Sequence, residues 1–298
     1  MRALALASAW ALLVLAGCVT SGQSVQFPTA RPGTVSLRGT LQLPEGAGPF
    51  PAVVLLHGGC NLESETHVTD YQNDLTGAGF VSLAADSWRA RGLTGPGCPP
   101  GVAGGPSGNV QQRTGMPPQV SPEQAAAFAE RFLDAYSAIA WLRSHPKVDP
   151  ERIAVIGFSD GGRVALHVAA GLGPTGVAYP DAPLPRAAVG YYPSCFGPTG
   201  NAAATLTKLE VPYLAHVAGN EDWPGPVLCP AVFARLARGG APLTRFDYPG
   251  AHHDFNARKF TSLMRTPQGT LLYNPQADRL AWERTLAFLQ ETFAAARK

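Results

Sequence analysis

The stretch that most constrains this chain is Arg152 to Gly162, Arg-Ile-Ala-Val-Ile-Gly-Phe-Ser-Asp-Gly-Gly. Ile153-Ala154-Val155-Ile156 is a short β-branched apolar run, the pattern of a strand buried on both faces. Gly157-Phe158-Ser159-Asp160-Gly161 follows as a Gly-x-Ser-x-Gly. Arg163 to Ala170 then reads as a helix with Val164, Ala165, Val168 and Ala169 on one face. A strand, a tight glycine-flanked serine and a helix form a nucleophile elbow. The glycines have a physical reason. A serine on a strained turn needs small residues two positions away on either side, so that strand and helix can pass closely. The turn lifts the hydroxyl out of the sheet. It also aims the N–H of Asp160 and the helix N-terminus at the place where an oxyanion would form.

The rest of the chain alternates strand and helix around this stretch. Val35 to Leu43 reads as an antiparallel strand. Ala52 to Leu56 is a buried strand ending in His57-Gly58-Gly59-Cys60, and Thr66 to Gly77 is the first helix. Phe80 to Ala85 is the next strand, closing on Asp86-Ser87. Trp88 to Val120 is rich in Gly and Pro and carries no periodicity, the mark of a long functional loop. Ser121-Pro122-Glu123-Gln124 has the residues of a capping box with Pro at the first helical position. It opens a helix whose buried stripe is Phe128, Phe132, Ala135, Ile139 and Leu142. After the elbow come strands over 187–192, 212–217 and 243–248, a helix over 227–238, and a closing helix over 275–296. The order predicts an α/β fold: a mostly parallel central sheet with helices on both faces.

The 298 residues carry a formal charge of +2 and no basic stripe, which excludes nucleic acid as the main partner. Met1-Arg2 followed by apolar residues from Ala3 to Ala16 reads as an export signal too short to span a bilayer comfortably. It ends in Leu15-Ala16-Gly17-Cys18, which resembles a bacterial lipobox. That resemblance implies a signal peptide over 1–17, lipidation at Cys18 and a polar tether over 18–33. One domain, 34–298, follows. Val19 after the cysteine resembles lipoproteins of the outer membrane, so the expected location is the cell envelope, facing the periplasm, with the membrane reached through the lipid. Four further cysteines, Cys60, Cys98, Cys195 and Cys229, form an even set that suits two disulfides in an exported chain.

A serine nucleophile needs a base, and the base needs an orienting acid. Strand 212–217 runs into Gly219-Asn220-Glu221-Asp222, and strand 243–248 into Pro249-Gly250-Ala251-His252-His253-Asp254-Phe255. Both lie past the carboxyl ends of strands, on the edge where Ser159 also lies, so the groups can converge. Glu221 and Asp222 are both candidates for the acid, and His252 and His253 for the base. A metal cluster at His252, His253 and Asp254 is disfavoured, because adjacent side chains on an extended chain point apart.

Taken together, Leu55-Leu56-His57-Gly58, Asp86-Ser87-Trp88 with Arg91-Gly92, Gly157-Phe158-Ser159, Tyr191-Tyr192-Pro193-Ser194-Cys195, Asp222-Trp223 and His253-x-Phe255 resemble the dienelactone hydrolase family of α/β-hydrolases. The likeness runs from about Thr34 to Phe293. Name-giving members carry Cys in the elbow; this chain has Ser. The resemblance implies a catalytic set of Ser159, Asp222 and His253, with Asp222 favoured by its spacing from Gly219 and Pro226. Glu221 takes the role if Trp223 and Cys229 set the register. The oxyanion donors implied are the N–H groups of Asp160 and of Gly59, with Cys60 next. His57 is expected to be structural. Arg89 and Arg91 stand near the expected mouth, where one could hold a substrate carboxylate bidentately, though stapling a loop through ion pairs is the favoured reading. The cysteines are expected to pair as Cys60–Cys98 and Cys195–Cys229. No cofactor and no metal are required. The function implied is hydrolysis of a small-molecule ester or lactone. A peptidase or amide hydrolase on the same fold, and a non-catalytic envelope binding protein, are the rival readings.

Overall fold

The structure is a computed structural model that describes residues 22–30, 35–93, 122–173, 176–195, 205–266 and 268–295. The expected signal peptide, Cys18, Ser121, Cys98 and most of the long loop after Trp88 lie outside the described residues.

Eight strands form one sheet: β1 (Gln23–Pro28), β2 (Ser36–Gln42), β3 (Phe50–Leu56), β4 (Val81–Asp86), β5 (Val148–Phe158), β6 (Ala187–Tyr191), β7 (Tyr213–Ala218) and β8 (Leu243–Tyr248). Their spatial order is β1-β2-β4-β3-β5-β6-β7-β8. β1 and β2 are antiparallel to each other and β2 is antiparallel to β4, while every pairing from β4 to β8 is parallel. The elbow strand β5 sits between β3 and β6, so Ser159 emerges from the interior of the sheet.

Strand parity decides which helix packs where. On β3, Ala52, Val54 and Leu56 face one side and Val53 and Leu55 the other, all buried. The first side is covered by α2 (Pro122–Arg143), α3 (Asp160–Ala169) and α4 (Cys229–Leu236), through Phe132, Ile139, Val164, Val168 and Phe233. The second is covered by α1 (Thr66–Gly77) and α5 (Pro275–Ala295), through Val68, Tyr71, Leu75, Ala281, Leu289 and Phe293. A strand with apolar residues at every position, as in Ile153 to Ile156, is what a sheet covered on both faces requires. Each Ile or Val side chain of that run contributes about 1.5–3 kcal/mol when fully withdrawn from water.

Two elements were not expected. Gln23–Pro28, inside the segment read as a tether, is an edge strand whose Phe27 pairs with Leu37 and enters the core. A small hairpin, β9 (Met264–Arg265) with β10 (Thr270–Leu271), lies between β8 and α5 in the sequence.

Cys195 and Cys229 form a disulfide with Cα atoms 5.2 Å apart, as expected. It ties the chain after β6 to the first residue of α4. Across a separation of 34 residues, the chain-entropy model gives about 3–4 kcal/mol of stabilisation. Cys60 is also disulfide-bonded.

Candidate active site

β5 ends at Phe158, and Ser159 turns sharply with φ 52° and ψ −113°. A non-glycine residue persists at positive φ only where its surroundings over-determine it. Here the Ser159 N–H donates to Tyr191 O at 2.9 Å, while Ser159 O accepts from Arg163 N and Ser194 N, each at 3.1 Å. The flanking glycines are obligatory. A Cβ on Gly157 would stand 2.0 Å from Gly161 O, and one on Gly161 would stand 2.1 Å from Leu56 O.

His253 reaches the serine from the loop after β8. Its Nε2 lies 2.9 Å from Ser159 Oγ, and its Nδ1 lies 2.9 Å from Glu221 Oε2. The ring is buried between aromatic neighbours. Trp223 stacks on it at 4.4 Å with an interplanar angle of 16°, and Tyr192 meets it at 4.7 Å. Tyr192 is itself fixed, its hydroxyl donating to Asn256 Oδ1 at 2.6 Å. Burial alone would pull the His253 pKa down. The carboxylate of Glu221, by charge and by hydrogen bond, outweighs it, and the net shift is upward from 6.5. Because His253 is engaged on both nitrogens, it is not available to a metal cluster with His252 and Asp254.

The acid favoured from the spacing, Asp222, is not the partner of His253. Its carboxylate accepts from Thr270 N at 2.9 Å and from Thr270 Oγ1 at 2.7 Å, anchoring the β9–β10 hairpin. Glu221, one residue earlier, faces the histidine, and its second oxygen accepts from Trp223 N at 3.0 Å. The reason is local geometry. Side chains of consecutive residues past a strand end point to opposite sides, so only one of the two carboxylates can face His253. The register marked by Trp223 and Cys229 decides which: Cys229 is held by its disulfide, and Trp223 lies on the imidazole.

The loop after β3 lies on the other side of Ser159. The N–H groups of Gly58 and Cys60 both donate to the Glu65 carboxylate, so Cys60, the second choice for an oxyanion donor, is already engaged. Among the described residues, the N–H groups of Gly59 and Asp160 donate to no acceptor. The Asp160 side chain points away into the protein and pairs with Arg131 and Arg163. Burial opposes its charge, but the two guanidiniums prevail and hold its pKa below the usual carboxylate range.

His57 is structural, as expected. Nδ1 sits 3.0 Å from Gly58 O and Nε2 accepts from Ser87 N at 3.2 Å, which fixes the neutral Nδ1–H tautomer. Burial, reinforced by Arg131, keeps its pKa well below 6.5. Arg91 forms a forked pair with Asp134, two bonds of 2.8 Å, and Arg89 pairs with Glu63, so both arginines staple loops. His216 is a core residue bonded to Tyr248 Oη at 2.7 Å and Thr285 Oγ1 at 2.9 Å.

Sequence reasoning missed Arg131 and Glu65. Arg131 left a signal: a charge on the buried stripe of α2, one position before Phe132. Glu65 left none, because its partners are backbone groups.

The comparisons with known proteins agree with this architecture. A Bradyrhizobium protein described as a probable 2-oxo-3-(5-oxofuran-2-ylidene)propanoate lactonase is 24% identical over 259 residues, covering 84% of this chain and 87% of its own. The thermostable carboxylesterase EstE1, cloned from a metagenomic library, shares the fold with a TM-score of 0.62 at 17% identity, covering 94% of this chain and 91% of its own. Esterase 2 of Thermogutta terrifontis, in a form phosphoramylated by tabun, shares it with a TM-score of 0.59 at 17% identity, covering 92% and 94%. Residues 37–293 match the dienelactone hydrolase family, and the chain belongs to that family.

Proposed function

We propose that this protein is a serine hydrolase that cleaves a carboxylic ester or lactone of a small molecule through an acyl-enzyme. The observation that carries the reading is the unbroken hydrogen-bonded line from Ser159 Oγ through His253 to Glu221, with 2.9 Å at each contact. His253 Nε2 takes the serine proton as Oγ attacks the carbonyl carbon. Glu221 holds the Nδ1–H tautomer and balances the imidazolium. The N–H groups of Gly59 and Asp160 receive the oxyanion, and each such donor is worth about 3 kcal/mol in the transition state. The imidazolium returns its proton to the leaving alkoxide. Water, deprotonated by the same imidazole, then frees the acid and restores Ser159. With a lactone, the alkoxide stays attached to the acyl group, so the product is one hydroxy acid. No metal or organic cofactor enters any of these steps. The lactonase and the esterases described above support a substrate of this class.

The test is labelling of the purified protein with a fluorophosphonate, followed by turnover of short- to long-chain acyl esters and simple lactones. Modification at Ser159 with turnover of at least one series is expected. An unlabelled, inactive folded protein would end the reading. Because the raised His253 must be neutral to act as base, kcat/KM should fall on the acid side with an apparent pKa above 6.5. A flat profile from pH 5 to 8 would contradict His253 as the base.

We further propose that Cys18 is the lipidated first residue of the mature chain and anchors it to the cell envelope. The support is Leu15-Ala16-Gly17-Cys18 after an apolar run. Cys18→Ser should move the protein from the membrane to the soluble fraction. An intact Met1 on membrane-bound protein would contradict the anchor.

A further inference from the structure

The loop 57–60 is gripped from two sides by charged side chains outside the Ser159–His253–Glu221 line. From α2, the buried Arg131 donates through Nη1 to Gly58 O at 2.9 Å and through Nη2 to His57 O, and pairs with Asp160 beside the serine. From the residue before α1, Glu65 accepts the N–H of Gly58 on Oε2 and the N–H of Cys60 on Oε1, the latter at 2.8 Å. The amide groups on either side of Gly59 are therefore bonded. A Cβ built on Gly58 would stand 3.0 Å and 3.1 Å from the two Glu65 oxygens and 3.2 Å from Ser159 Cβ. The carboxylate and the serine thus approach the same face of Gly58.

We infer that Glu65 is the positioning residue of the oxyanion loop: by taking the N–H groups of Gly58 and Cys60 on its two oxygens, it leaves Gly59 N–H as the loop's free donor and fixes its direction. The inference rests on the serine-hydrolase reading above.

A carboxylate suits this task better than any neutral side chain. It offers two equivalent acceptors in one plane, whereas an amide offers one acceptor and places a donor where the second is needed. The site is poor for stability alone. Glu65 is buried, and the His67 ring, 3.6 Å from its carboxyl, is held neutral, because burial lowers the His67 pKa to about 4. Burial, with Asp254 adding to it, raises the Glu65 carboxyl to about 8, against the pull of the two N–H groups and Arg131, so the ionised form with two equivalent acceptors prevails above that pH. Lys259 is turned to Ser64 O rather than to the carboxylate. A buried carboxylate with no ammonium or guanidinium bonded to it among the described residues is an expensive way to tie a loop, and such cost is commonly met where a site must be held in one geometry.

The test compares wild type, Glu65→Gln and Glu65→Ala on a short-chain p-nitrophenyl ester at about pH 9, above the raised Glu65 value, with thermal melts to establish folding. An arylboronic acid is measured beside them as a tetrahedral adduct whose oxygen occupies the oxyanion position. For Glu65→Ala, kcat should fall by about 10²-fold with KM within about threefold, and boronate affinity should fall by a comparable factor. Glu65→Gln, which keeps one acceptor, should lie between the two and carries the test if the alanine variant does not fold. A folded variant with wild-type kcat and boronate affinity would overturn the inference, as would a change confined to KM. These outcomes separate the two readings. Wild type that is labelled at Ser159 and active, alongside equally active Glu65 variants, removes only the positioning role. Wild type that is neither labelled nor active removes both.

Discussion

Replacing Ser159 with Ala is expected to lower kcat for ester hydrolysis by about 10⁶-fold, the scale seen when the nucleophile of such a unit is removed. The fold should survive. What holds residue 159 in its strained turn is backbone bonding to Tyr191, Arg163 and Ser194, and alanine keeps every one of those bonds. Alanine at φ 52° is no more strained than serine, since both carry a Cβ. The substitution removes the hydrogen bond between Oγ and His253 Nε2, and Glu221 still holds the ring through Nδ1. A thermal melt close to wild type, with activity and fluorophosphonate labelling both gone, is the expected pair of results. Activity within about tenfold of wild type would exclude Ser159 as nucleophile, because no binding or oxyanion effect compensates for a missing nucleophile on that scale.

Much of the scaffold was legible because its signals are local. The β-branched run before Gly157 and the apolar stripe of α2 are each decided within about two dozen residues. The helix expected over 66–77 and the strand over 243–248 are found there. The missed elements have weak local signals. β1 buries Phe27 and leaves most of its other side chains exposed, so nothing in Gln23–Pro28 separates an edge strand from a tether until β2 is beside it. The β9 and β10 strands are two residues each, too short to carry any period.

The site divides in the same way. Ser159 and His253 were readable because each sits in a motif at a strand end. The disulfide between Cys195 and Cys229 was readable because β6 and β7 are neighbours in the sheet. Glu65 was not, since its partners are amide groups of the loop, which no side-chain pattern announces; Arg131 showed only as a charge on an apolar stripe, with nothing in the pattern to name the His57 and Gly58 carbonyls and Asp160 as its acceptors. The acid failed for a narrower reason. Two carboxylates stand side by side, and the choice between them depends on a rotation of the chain by one residue.

That rotation can be measured. Glu221→Gln should lower kcat by about 10⁴-fold, whereas Asp222→Asn should stay within about tenfold of wild type. A glutamine at position 221 could present either its oxygen or its amide to His253 Nδ1. The amide would favour the tautomer whose proton sits on Nε2, and that nitrogen could no longer accept from Ser159. An asparagine at position 222 would keep an acceptor for one of the two Thr270 donors, so the hairpin would loosen while the line from serine to histidine to glutamate stayed intact. The pH behaviour separates the two variants further. In wild type, Glu221 raises the His253 pKa above 6.5 against the effect of burial. The pair therefore adds stability that is fully present below pH 6.5 and is lost as pH rises through the raised native value. Glu221→Gln should remove that contribution and move the acid limb of any residual activity downward. Asp222 carries a shift of the opposite sense: despite some desolvation, its bonds from Thr270 depress its pKa, so its contribution is present above the ordinary carboxylate range and fades only as pH falls through the depressed value. A variant pair in which Asp222→Asn, not Glu221→Gln, abolishes activity and shifts the acid limb would return the acid to position 222.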